Sequence, residues 1–215
     1  MARRFDAVIF DMDGVLVDSE SMHREVTRAL LNAYGVPHPD EESAEFLGIR
    51  TKDMFPILCE RHRLTQSSDA LTRECTERTV RRIVDGGVTP MPGVPAIPRQ
   101  LASERYPLAV ASSSEPEVIQ AVLHALGIRD LFGAVVSAEE VPNGKPAPDV
   151  FLEAARRLGR AAARCLVIED SAAGVRAAKA AAMTCVAIPC AETAHLDFSA
   201  ADHRLATMKD LPRLL

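Results

Sequence analysis

Three aspartates, Asp11, Asp13 and Asp18, lie within eight positions of the end of the apolar run Ala7-Val8-Ile9-Phe10. Aspartate is a poor strand former and costly to bury as an ion, so charge gathered here asks for a chemical reason. Similar polar clusters close two other apolar runs: Ser112-Ser113-Ser114 at "LAVAS" and Glu169-Asp170 at "CLVIE". Lys145 follows a fourth run, "AVVS", within "NGKPAPD". In an open parallel sheet, ligands bind at the carboxyl ends of the strands, so these groups are expected to meet on one rim. Crowded carboxylates raise one another's pKa values, and a bound divalent cation relieves the repulsion. Hard carboxylate oxygens suit Mg²⁺, which keeps several waters and accepts a phosphate oxygen. Lys145 and the serine hydroxyls would then contact that phosphate, a set suited to metal-assisted phosphoryl transfer.

Each of these residues also has an architectural reading. Asp18 can open the following helix as its N-cap. Lys145 taken alone is a solvated loop lysine, and the serines taken alone end a strand or cap a helix. A calcium-binding loop is rejected, because it wants an acid where Ile9 stands and a helix, not an apolar strand, leading in. His23, about one turn into the next helix, is either an exposed helix histidine or a group that reaches back to the site.

The elements that must carry these groups alternate. "AVIF" (7–10), "LAVAS" (108–112), "AVVS" (134–137), "CLVIE" (165–169) and "CVAIP" (185–189) are apolar on both faces, as strands of a covered parallel sheet are. Between them, Val118, Ile119, Val122, Leu123 and Leu126 share a helix face before Gly127, and Val150, Phe151, Ala154, Ala155 and Leu158 repeat the pattern before Gly159. This alternation predicts a doubly wound α/β domain, Rossmann-like in layout. Residues 19–88 hold no convincing strand. A helical stripe runs from Met22 to Tyr34, a second helix is expected to be kinked or delayed by Pro56, and a third stops at Gly86-Gly87. The division expected is a core of 1–17 and 89–215 with a helical insertion, 18–88, hinged near 15–18 and 87–92. Pro98 is expected to delay or bend the helix before the second sheet strand.

With the residues placed, "DMDGVLVD" (11–18), the serine closing "LAVAS", "GKPAPD" (144–149) and "IEDSAAG" (168–174) look like the four ordered motifs of the haloacid dehalogenase-like phosphohydrolases. The chain most resembles the branch holding β-phosphoglucomutase and many small sugar-phosphate phosphatases. That resemblance implies Asp11 as nucleophile and Asp13 as general acid, then base. It implies Mg²⁺ held by the Asp11 carboxylate, the Asp13 backbone carbonyl and Asp170, with Glu169 direct or through water. Ser112, the Ser113 amide and Lys145 would hold the phosphate, and the insertion would be a cap that excludes water and reads the leaving group. His23, Gly48, Arg50 and Thr51 are the cap residues expected near substrate.

The chain departs from the pattern at Leu47, where the mutase carries a lysine to grip a second phosphate, which shifts the reading toward hydrolysis. At Ala182 relatives usually carry glycine; a left-handed alanine there would cost roughly 1 kcal/mol or more. The leading expectation is a Mg²⁺-dependent phosphatase of a small sugar or polyol phosphate. A phosphosugar mutase is the alternative, and a catalytically idle binding module is a third.

Composition narrows the field. With 215 residues, 47% hydrophobic and 26% charged, the chain can bury a sizeable core. A net charge of −5 argues against a general nucleic-acid binder. No run approaches the roughly 18 apolar residues of a membrane span. Five cysteines without a CxxC pair read as reduced, mostly buried thiols. A cytoplasmic monomer acting on a small phosphate ester, with no nucleic-acid or membrane partner, is the expectation.

Overall fold

The apolar runs form strands because they are flanked by breakers and too short to be buried helices. In the computed structural model, which describes residues 3–37, 42, 45, 46 and 49–215, they assemble one six-stranded parallel sheet. Its strands are β1 (Ala7–Phe10), β4 (Leu108–Ser112), β5 (Ala134–Ser137), β6 (Cys165–Glu169), β7 (Thr184–Ala187) and β8 (His203–Arg204). The spatial order is β5-β4-β1-β6-β7-β8, so β1 is central, pairing Ile9 with Ala109 on one side and Val167 on the other.

Alternate residues face opposite layers, as a pleated strand requires. Val8, Phe10, Val110 and Ile168 pack with Leu101, Val118 and Leu123, on helices α4 (Ala96–Ser103) and α5 (Pro116–Ala125). Ile9, Ala109, Ala111 and Val167 pack with Phe151, Ala154 and Val175, on α6 (Asp149–Leu158) and α7 (Ala172–Ala180). The doubly wound layout expected from the alternation is therefore present.

The remaining helices, α1 (Glu20–Ala33), α2 (Thr51–His62) and α3 (Ser68–Gly86), gather around Val26, Leu30, Leu31, Phe55, Leu58 and Leu71. They leave and rejoin the sheet through a short antiparallel ladder, β2 (Val17–Asp18) with β3 (Thr89–Pro90). Among the described residues, no helix is long and apolar enough to cross a membrane.

Three local expectations change. Asp18 is not the helix cap: it is exposed and pairs with Thr89 in the ladder, and Ser19 holds the N-cap position without a side-chain capping bond. Pro56 does not delay α2, which starts at Thr51 and runs through it. Pro98 is the third residue of α4, where its missing N–H has no intrahelical partner to lose. The strands β2, β3 and β8, two residues each, are too short to leave a periodic signal. Ala182 has φ +56°, the left-handed conformation expected at the end of α7.

Candidate active site

The ladder that builds β1 continues one residue past it: the Asp11 amide donates to the Ile168 carbonyl at 2.9 Å. This sets the Asp11 carboxylate on the rim beside the end of β6. Lys145 Nζ lies 2.9 Å from Asp11 Oδ1 and 2.7 Å from Glu169 Oε1, with only 2% of its side chain exposed. The other Glu169 oxygen accepts from the Ser171 amide at 2.6 Å and the Ser171 hydroxyl at 3.0 Å. Asp170 Oδ2 accepts from Cys190 Sγ and Thr193 Oγ1, each at 3.3 Å.

Two glycines allow this crowding. A Cβ on Gly14, whose φ is +71°, would stand 2.1 Å from Asp170 Oδ2. One on Gly174 would stand 1.5 Å from Glu169 Oε1. Side chains at either position would displace the acids.

One carboxylate oxygen from each of Asp11, Glu169 and Asp170 falls within 4.8 Å of the others. Burial raises the Asp11 carboxyl well above the ordinary range, against the opposing pull of Lys145. Burial and the charges of Glu169 and Asp11 do the same to Asp170. Three buried carboxylates with one ammonium leave an excess of negative charge that a hard divalent cation fits. The residues present therefore suit Mg²⁺.

Asp13 stands on the other side of the same rim. It accepts from Ser19 Oγ at 2.5 Å and Ser114 Oγ at 2.7 Å, and more weakly from Ser112 Oγ at 3.3 Å. His23 Nε2 is 3.1 Å from its Oδ1. Burial works against the Asp13 charge, but the bonds from His23, Ser19 and Ser114 outweigh it and hold the carboxyl well below the usual range. For His23, burial is outweighed by Asp13, and the imidazole rises to about 9. Of the two readings of His23, the structure has the one that reaches back.

A cavity of about 100 Å³ opens from Asp13 between α1, α3 and the start of α5, lined among others by Glu20, His23, Thr51, Ser113 and Glu115. Arg50 stands outside it, with Nε 2.6 Å from Asp53 and an amino group 3.2 Å from the Ala138 carbonyl. Gly48 lies outside the described residues, as does Leu47. Sequence reasoning missed Ser19, Glu20 and Glu115, and it placed Ser114 on the rim only as one of the serine cluster, without its bond to Asp13.

The model of the haloacid dehalogenase-like hydrolases matches residues 5–182. The chain belongs to this family. It is 37% identical over 186 residues to the fructose-1-phosphate phosphatase YqaB of Escherichia coli, covering 86% of this chain and 97% of that one. CbbY from Rhodobacter sphaeroides in complex with phosphate superposes with a TM-score of 0.90 at 28% identity, over 96% of both chains. A point mutant of that CbbY in complex with xylulose-1,5-bisphosphate superposes at 0.88, also 28% identical, over 94% of both. As a member of the family, the chain is an enzyme, a phosphoric monoester hydrolase.

Proposed function

We propose that the protein is a Mg²⁺-dependent phosphatase of a small sugar or polyol phosphate, working through an aspartyl-phosphate on Asp11. The observation that carries this reading is the contact of buried Lys145 with both Asp11 and Glu169, beside Asp170 and facing Asp13. An Asp11 oxygen attacks phosphorus, the ester P–O bond breaks, and the departing oxygen takes, through Asp13, the proton that the His23 imidazolium beside it carries. Water then attacks the aspartyl-phosphate, Asp13 takes its proton, and phosphate leaves with Asp11 restored. The bonds from Ser19, Ser114 and His23 favour ionised Asp13, the form the second half needs. Lys145, Ser112 and the Ser113 amide hold phosphate oxygens. Asp11, Asp170 and the Asp13 carbonyl would hold Mg²⁺, which would supply positive charge to offset the phosphate oxygens. Glu169, with both oxygens already accepting bonds, acts by anchoring Lys145.

Residues 18–88 serve as the cap: α1 brings His23 to Asp13, and α2 brings Thr51 to the cavity wall. The phosphoryl group thus sits under the rim and the leaving group in the cavity.

The test is a panel of phosphorylated sugars and polyols assayed with Mg²⁺ for phosphate release and isomer formation. Phosphate release that Asp11→Asn abolishes is the expected result. Isomerisation of β-glucose 1-phosphate without net release overturns it in favour of a mutase.

A further inference from the structure

Buried polar atoms are almost always paired, so those left alone in a cavity wall mark where a ligand completes them. Among the described residues, Glu115 Oε1 and the Ser113 hydroxyl are shielded and lack a hydrogen-bond partner, and both residues line the cavity that opens from Asp13. The architectural use of Glu115 fails. It stands at the N-cap of α5, before Pro116, yet its side chain makes no capping bond. The carboxylate turns into the cavity, where the Thr51 hydroxyl faces it.

The charge of this wall is lopsided. Glu20 and Glu115 both line it, and burial raises both carboxyl pKa values. Its cations among the described residues are His23 and Arg24. His23 is held by Asp13, and Arg24 lies 3.9 Å from Glu192 Oε1. Nearby, Lys52 is paired with Glu139 at 2.7 Å and Arg50 with Asp53. Among the described residues, a second phosphate would meet two carboxylates and only cations that already face an acid, and like charges in a desolvated site are strongly unfavourable. A hydroxyl would meet an acceptor in Glu115 and a partner in Ser113.

We propose that Glu115 sets leaving-group specificity, accepting a hydrogen bond from a hydroxyl of a neutral polyol or sugar and turning away substrates with a second phosphate. This deepens the phosphatase reading and rests on it. Discrimination of this kind is strongest when a buried polar group is left unpaired by the wrong substrate.

The experiment compares kcat/KM for fructose 1-phosphate and fructose 1,6-bisphosphate in wild type, Glu115→Gln and Glu115→Lys, with wild-type hydrolysis of p-nitrophenyl phosphate measured alongside. Wild type should prefer the monophosphate by about tenfold or more. Glu115→Gln should shrink that preference, and Glu115→Lys should move the ratio about tenfold toward the bisphosphate. The glutamine variant preserves shape, so it reports even if the lysine variant misfolds. Wild type favouring the bisphosphate, or variants that scale both substrates alike, overturns the role of Glu115 while p-nitrophenyl phosphate turnover leaves the phosphatase reading standing. Absence of that turnover in wild type overturns both.

Discussion

Gly174 sits under Glu169, the acid that braces Lys145, and the space for a methyl group there is taken by a carboxylate oxygen. Gly174→Ala should push Glu169 off its bonds to Lys145 and Ser171. Overpacking of this kind costs roughly 1–3 kcal/mol, lowering the thermal midpoint by roughly 3–10 °C in a chain this long. Turnover should fall with it, whereas simple destabilisation elsewhere would leave kcat intact at low temperature. At this scale the sequence is legible where a residue's type has one use. Asp11 and Asp170 each stand one residue past a strand, so topology alone sends them to one rim, whereas Lys145, eight residues beyond β5, is legible only through the motif "GKPAPD". Ser19 was opaque, because a serine before a helix predicts a cap and its hydroxyl goes instead to Asp13. Glu115 was opaque for the same reason: the direction of a side chain beside a cap is decided by what packs over it.

Helix α7 ends on Ala182 in the left-handed region, which for alanine costs roughly 1–2 kcal/mol. Ala182→Gly should therefore stabilise the fold by up to about 1 kcal/mol after glycine's own entropic cost, read by calorimetry as a higher thermal midpoint with activity unchanged. On α6, Glu153 takes bonds from Arg156 and Arg157, which bring its carboxyl down to about 2. A depressed carboxyl stabilises above its unfolded value and loses that as pH falls through the folded one. Glu153→Gln should thus cost about 0.5–1 kcal/mol near neutral pH, the scale of solvent-screened pairs. The gap from wild type should close as pH drops from about 4.5 toward 2. Helices with an apolar stripe and a terminal glycine were readable in advance. Two-residue strands were not, since pairing partners far along the chain create them.

Across the whole molecule, folding assembles acids that repel one another, so a cation that binds only the folded chain should stabilise it. At a Mg²⁺ concentration about 100 times its Kd, the gain is about 2.7 kcal/mol, a rise of roughly 5–10 °C in the midpoint. Differential scanning fluorimetry should show that Mg²⁺-dependent rise in wild type and its loss in Asp170→Asn. An equal rise in the variant would place the ion elsewhere.

The two crossings between sheet and helices lie side by side, Val17 against Pro90 and Asp18 against Thr89. To the sheet, everything between them is a closed side branch: its length and content alter neither the register of β1 nor the order of the strands. The part of the wall that the insertion supplies, Glu20, His23 and Thr51, can therefore diverge while the rim that breaks the ester stays as it is, whereas Ser113 and Glu115 belong to the sheet side. One chemistry can thus serve many leaving groups, through exchanges in α1–α3 and at Glu115 that leave the strand ends untouched.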